Sequence, residues 1–254
     1  MPDAIQPPLE FPLTPKPRAI VIGASSGIGA ALARRLAKSG YVLALLARRE
    51  EQLDILCEEL NQDDELRAIA YPHDVTDFDS IPALFQQVLQ DLKRLDCIVY
   101  VSGVMAPMDL AEYDFAKDRQ MIEVNVLGAM AWLGRAAMLF QRMGAGQIVG
   151  ISSVAGDRGR VPNPGYHTSK AALNTYLESL RNRLARHGVN VLTVKPGFVN
   201  TAMSPKGIPP EKAAAHIWGA MKRRRQILYT PGIWRYIMWG ITHVPSVIFR
   251  RLSF

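Results

Sequence analysis

The chain is expected to fold as one α/β domain, a doubly wound parallel β-sheet with helices on both faces. Three observations carry this expectation. A short apolar, β-branched run, Ala19-Ile20-Val21-Ile22, leads into a glycine-rich turn and then into helical periodicity over residues 30–37. Strand-like and helix-like segments alternate through most of the remaining chain, as in sheets whose crossovers are helices. The length of 254 residues and a hydrophobic content of 48% suffice for one full core.

In chain order, residues 41–47 read as a strand, 50–61 as a helix, 68–71 as a strand and 80–94 as a helix. Residues 97–101, 147–151 and 189–194 read as further strands, with long helices in the gaps. Right-handed crossovers then bring the C-terminal ends of all strands to one edge. No internal repeat stands out. The first seventeen residues hold six prolines and no apolar run, which reads as an extended arm and as neither a secretory signal nor a transmembrane segment. The expected organisation is therefore an arm over 1–18, a core over 19–204, and a basic, aromatic lid or tail over 205–254.

The turn after the first strand is Gly23-Ala24-Ser25-Ser26-Gly27-Ile28-Gly29. Strand, glycine-rich turn and helix together are the context of a dinucleotide-binding loop, because glycines admit a pyrophosphate to the backbone and a helix N-terminus offers unpaired N–H groups. Further on, Tyr166 and Lys170 lie four residues apart, on one face of a helix, with Ser153 thirteen residues before the tyrosine. A phenol with a reference pKa of about 10 is a poor base near neutrality. A cation one turn away lowers that value and brings it towards the working range of a general acid or base. Ser153 can hydrogen-bond the oxygen whose charge changes. This is the chemistry of carbonyl reduction and alcohol oxidation.

The turn from Gly23 to Gly29, with Asn125, Ser153, Tyr166, Lys170 and Pro196-Gly197, resembles the short-chain dehydrogenases/reductases in order and spacing, over roughly residues 18–204. The resemblance implies a Rossmann-like fold and a nicotinamide cofactor. It places substrate polarisation on Ser153, proton transfer on Tyr166, ribose binding and phenol activation on Lys170, and a proton-relay water on Asn125. Cofactor contacts fall by the same likeness on Gly23, Ser25, Ser26, Gly27, Ile28, Gly29, Arg48, Asp74, Val75, Gly103, Tyr166, Lys170, Pro196, Gly197, Val199 and Thr201. One departure stands out. Tyr100-Val101-Ser102-Gly103 replaces the family's Asn-Asn-Ala-Gly, so the ties of that strand end to its neighbours must differ.

The second strand ends in Ala47-Arg48-Arg49, with no carboxylate to bind ribose hydroxyls or repel a phosphate. Arg48 offers a fork suited to a 2′-phosphate, so NADP(H) is expected over NAD(H). Arg49 reads as the start of a solvated helix. No metal is expected, since Cys57 and Cys97 lack ligand spacing and read as core residues, and the five histidines are scattered. His167 reads first as a solvated or packing residue and second as a substrate contact.

Residues 205–254 hold nine Lys or Arg against one acid, Glu211. Tryptophans and isoleucines interleave with these charges, a poor composition for a nucleic-acid face, and no nucleic-acid partner is expected. Ile233, Ile237 and Ile241 repeat at four-residue steps, and the uncharged stretch between Arg235 and Arg250 is too short to span a bilayer. The segment suits either an anionic membrane surface, through residues 222–254, or packing on the core or a second subunit. The run from Ser152 to Arg160 and the ending from Trp234 to Leu252 are similar to decaprenylphosphoryl-2-keto-ribose reductases, which implies a keto-sugar or lipid-linked substrate. The expected protein is thus a short-chain oxidoreductase of a small-molecule carbonyl or alcohol, a dimer or tetramer, cytoplasmic or peripheral on the inner face of a membrane. The competing class is a non-catalytic dinucleotide-binding sensor or scaffold, which would need the glycine turn but not Ser153, Tyr166 and Lys170 together.

Overall fold

A computed structural model describes residues 15–62 and 66–252. Most of the arm expected over 1–18 lies outside the described residues. Seven strands form one sheet: β1 (Arg18–Ile22), β2 (Val42–Ala47), β3 (Ala68–Pro72), β4 (Cys97–Tyr100), β5 (Gly146–Ile151), β6 (Val189–Pro196) and β7 (Ile227–Thr230). Every pairing is parallel and the order is β3-β2-β1-β4-β5-β6-β7.

The strands are apolar on both sides because both faces are covered. In β1, Ile20 and Ile22 join one core while Ala19 and Val21 join the other. The first core packs under α3 (Ile81–Leu92), α5 (Gly128–Met143) and α6 (Pro164–Leu184). The second packs under α1 (Gly27–Lys38), α2 (Glu50–Leu60) and α7 (Pro210–Lys222). The chain changes side between β1 and β4, opening the crevice in which open parallel sheets bind ligands. In register, Ile22 sits opposite both Leu46 and Tyr100, and Ile151 opposite Val194, so the strand ends share one rim.

The boundary expected at 204/205 falls inside this unit. The helix α7 buries Ala213, Ala214, Ile217, Ala220 and Met221 against the sheet, and β7 extends it beyond β6. The charges that suggested a separate tail, Lys222 to Arg225, are exposed and occupy the last residue of α7 and the turn that leads to β7. α8 (Trp234–His243) and α9 (Ser246–Phe249) follow β7 and add no residue to either core. Arg158 clamps them down. Its Nη1 donates to the carbonyls of Ile241 and Val244 at 2.5 and 2.6 Å, and its guanidinium lies 3.8 Å from the centre of the Phe249 ring. Met238 is the one buried residue of α8.

Candidate active site

The glycine turn takes its shape from the strands beside it. The amides of Gly23 and Ala24 both donate to the carbonyl of Leu46, at 2.7 and 3.1 Å. Gly23 has a φ of +90°, and a side chain there would stand 2.6 Å from the amide nitrogen of Ser102. Glycine is required on both counts. Ser26 is the N-cap of α1, yet its side chain does not cap the helix. Its hydroxyl instead accepts from Nη2 of Arg49 at 2.6 Å, and that nitrogen also reaches Ser25 at 2.8 Å. Arg49 is thus folded over the turn. Nη1 of Arg48 lies 3.7 Å from Oδ2 of Asp74, whose Oδ1 accepts from the amide and hydroxyl of Thr76. Both arginines line the same cavity, as does Ala47 at the end of β2.

Opposite the turn, the helix α4 (Phe115–Ile122) runs into α5 through a π-helical turn, Glu123–Leu127. Such a turn frees backbone groups from the helical ladder and is frequent at functional sites. The carbonyl of Val124 accepts from the hydroxyl of Tyr100 at 2.6 Å. This bond ties the end of β4 to the turn, in the region where the family's paired asparagines are missing. Asn125, fully buried, is held from both sides: Oδ1 accepts from the amide of Val104 at 2.7 Å, and Nδ2 donates to the Val104 carbonyl and to Oγ of Ser169, both at 2.9 Å.

Ser169 and Lys170 follow Tyr166 in the first turns of α6, which Asn163 caps by accepting from the Tyr166 amide at 3.0 Å. Lys170 is 3% exposed and its Nζ donates to the carbonyl of Ile151 at 3.3 Å. Burial lowers its pKa to about 8. Tyr166 points into the cavity, its hydroxyl 3.9 Å from Sδ of Met203, a weak acceptor that leaves the phenol hydrogen loosely committed. Burial pushes the phenol up, opposed by hydrogen bonding with Ser153 and by the charge of Arg160. The cation influencing the phenol is thus Arg160, to which the sequence assigned no role, as well as the Lys170 ammonium 5.7 Å from the ring centre. Ser153 caps a short 3-10 turn through Ala155, and Ser152 turns away to the carbonyl of Lys170.

One cavity of about 880 Å³ joins these groups. Gly23, Ser25, Ser26, Gly27, Ile28, Arg48, Asp74, Val75, Gly103, Ser153, Tyr166, Lys170, Pro196, Gly197, Val199 and Thr201 all line it. Two residues expected at the site, Gly29 and Asn125, do not. Gly29 packs behind Gly23, where a side chain would strike the Gly23 carbonyl, and Asn125 lies behind Gly103. His167 is buried, lines the cavity and bonds Asn163 and Arg160. Trp234, the first residue of α8, also reaches the cavity. It sits on Gly197, where any side chain would collide with the indole, and edge-on to Phe198 at 5.5 Å. Nothing local in the sequence pairs Trp234 with Gly197. Among the described residues, no three His, Cys, Asp or Glu side chains converge as a metal site.

Comparison with known proteins places this geometry. The family model described as short chain dehydrogenase matches residues 17–211. An "Uncharacterized oxidoreductase" of Staphylococcus epidermidis is 31% identical over 186 residues, 73% of this chain and 79% of that protein. One from Mycobacterium tuberculosis is 32% identical over 190 residues, 74% of this chain and 75% of that protein. Among solved structures, a short-chain dehydrogenase from Streptomyces avermitilis aligns with a TM-score of 0.80 at 28% identity, over 89% of this chain and 92% of that one. An actinorhodin polyketide ketoreductase variant with NADPH aligns with a TM-score of 0.76 at 27% identity, over 84% and 95%. The chain belongs to the short-chain dehydrogenase family and is an oxidoreductase of that type.

Proposed function

We propose that this protein transfers hydride between NADP(H) and a carbonyl or secondary-alcohol substrate, with Tyr166 as the proton donor in reduction and acceptor in oxidation. The observation that carries this reading is the convergence of Ser153, Tyr166 and Lys170 on the cavity that the glycine turn opens. A non-catalytic dinucleotide-binding protein would need only the glycine end.

The cavity suits a dinucleotide on its own evidence. Gly103 lacks a side chain where a Cβ would stand 3.1 Å from Nζ of Lys170 and 3.2 Å from Oδ1 of Asn125, leaving a backbone-lined cradle over the ammonium. That ammonium has three hydrogens and, among the described residues, a single carbonyl for them. Ribose hydroxyls would complete its shell. A bound nicotinamide would supply the hydride. Ser153 orients the substrate oxygen, Tyr166 exchanges the proton with it, and Lys170 holds the ribose while its charge favours the ionised phenol. Asn125 acts from behind, holding the 104 loop and Ser169 in place.

NADP(H) is favoured over NAD(H) because the rim beside Ala47 carries two arginines and its nearby carboxylate, Asp74, is engaged by Thr76 and Arg48. Arg49, already on Ser25 and Ser26, shares the 2′-phosphate role assigned to Arg48 from the sequence. A keto-sugar or a lipid-linked carbonyl, as the second resemblance implies, is a substrate of this class.

The outer face of α8 and α9 favours a peripheral membrane position. Ile233, Tyr236, Trp239, Val247 and Ile248 are each more than half exposed, flanked by exposed Arg235, Arg250 and Arg251. Tryptophan and tyrosine beside arginine is the composition of a helix lying in an anionic interface. The long apolar helical run Phe115–Met143, by contrast, is half buried in the fold as a sheet-covering element.

Tyr166→Phe should lower turnover of a ketone substrate by about 100- to 10,000-fold, the range for loss of a positioned acid, while NADPH affinity measured by titration stays near wild type; retention of full activity would refute the mechanism. Arg49→Ala and Arg48→Ala should each weaken NADPH binding by about ten- to a hundred-fold, the worth of a charge-assisted hydrogen bond, and leave NADH almost unchanged. Equal losses for both cofactors would instead assign the arginines to holding the turn. The intact protein should co-sediment with vesicles containing anionic lipid at low salt, and added salt or the double change Trp239→Ser and Ile248→Ser should release it. Absence of binding at low salt removes the membrane reading. Deleting the segment is no test, because Trp234 lines the cavity and Met238 is buried.

A further inference from the structure

We infer that the substrate of this cavity carries an oxyanion, a phosphate or a carboxylate, and that Arg160 receives it. The inference rests on the oxidoreductase reading and names substrate chemistry for the same site. Arg160 stands in the irregular segment before α6 and lines the cavity together with Tyr166, Met203 and Trp234.

Its orientation is set by a short relay. Nδ1 of His167 lies 2.9 Å from the carbonyl of Asn163, so Nδ1 carries the proton and Nε2 is left as an acceptor. Nε of Arg160 donates to that Nε2 at 3.2 Å. Burial holds the His167 pKa below its ordinary value, which keeps the ring neutral and the relay intact near pH 7. The relay uses one of the five guanidinium N–H groups. Among the described residues, neither Nη group meets a hydrogen-bond acceptor or a carboxylate.

Among the described residues, the one carboxylate lining the cavity is Asp74, bound to Thr76 and Arg48 beside the glycine turn. Asp157, three residues from Arg160, is consumed by Lys195 at 2.5 Å and by the hydroxyl of Tyr229 at 2.8 Å. A partly buried guanidinium cannot shed its charge, and a neutral substrate closing the cavity would strip its water and leave it unpaired. An anionic substrate removes that cost, because the free ends of the fork match two oxygens of a phosphate or carboxylate. The cofactor's own phosphates belong with the glycine turn and with Arg48 and Arg49.

The test uses NADPH-saturated protein and two matched pairs of ketones, dihydroxyacetone with its phosphate and levulinamide with levulinate. In wild type, kcat/KM should favour the charged member of at least one pair, and which pair separates phosphate from carboxylate. In Arg160→Met that preference should fall by about ten- to a hundred-fold, and Arg160→Lys should restore part of it. NADPH affinity in the variants reports whether they fold. A preference equal in all three proteins, or absent from wild type, overturns the inference. If no ketone in the panel turns over, the reaction reading is what stands in question, and binding decides the present one. Inorganic phosphate or acetate at constant ionic strength should then raise the melting temperature of the NADPH-loaded wild type and not of Arg160→Met. Equal or absent shifts in both overturn it.

Discussion

The ammonium of Lys170 is the constraint around which the site is assembled. It is a charge in the middle of the fold with, among the described residues, one backbone carbonyl as its hydrogen-bond acceptor. Burying an ion without compensation costs several kcal/mol, and the group lowers its own pKa in response. The arrangement is intelligible when the missing partners belong to a ligand. The carbonyl comes from the last residue of β5, the lysine from the second turn of α6, and the open side from Gly103 beyond β4. Three elements must therefore meet at the crevice for the charge to be tolerated at all.

Holding them together falls to groups that do not touch the reaction. The π-helical turn between α4 and α5 presents the Asn125 side chain to the 104 loop and to Ser169, one residue before the lysine. The same turn leaves the carbonyl of Val124 to the Tyr100 hydroxyl. The Tyr100 side chain thus reaches from the end of β4 to the π-helical turn, and the crowding shows at Gly128, where a Cβ would press on the Tyr100 oxygen. Above the crevice, α8 contributes Trp234 while presenting exposed apolar residues outward. The surface proposed for lipid and the wall of the cavity are two faces of one helix.

Features whose cause is local were legible in the sequence. A strand running into Gly23–Gly29 and a Tyr166–Lys170 pair one helical turn apart each need only neighbouring residues to make their point. Features whose cause is tertiary were not. Arg48 and Arg49 are both arginines of one short connection, but β2 ends at Ala47 and Arg49 stands, with extended backbone, as the N-cap of α2, from where its guanidinium reaches Ser25 and Ser26. Lys222 to Arg225 read as part of a basic tail, yet they are the exposed end of α7 and the turn into β7, two elements of the core. The role of Arg160 depends on His167, on Asn163 and on the absence of a nearby acid, none of which a local window reveals.

If the Lys170 ammonium is completed by a bound cofactor, its pKa must rise from about 8 on binding. The direction follows from linkage: a group with a lower pKa in the free protein takes up protons when ligand binds, and binding strengthens as pH falls towards 8 from above. Calorimetric titration of NADPH at pH 8, in buffers of different ionisation enthalpy, measures this uptake directly. The 2′-phosphate contributes little there, since its second pKa is about 6. Net uptake of up to about half a proton per site, lost in Lys170→Met, is the predicted result. Binding with no uptake, or with uptake unchanged in Lys170→Met, would contradict the account.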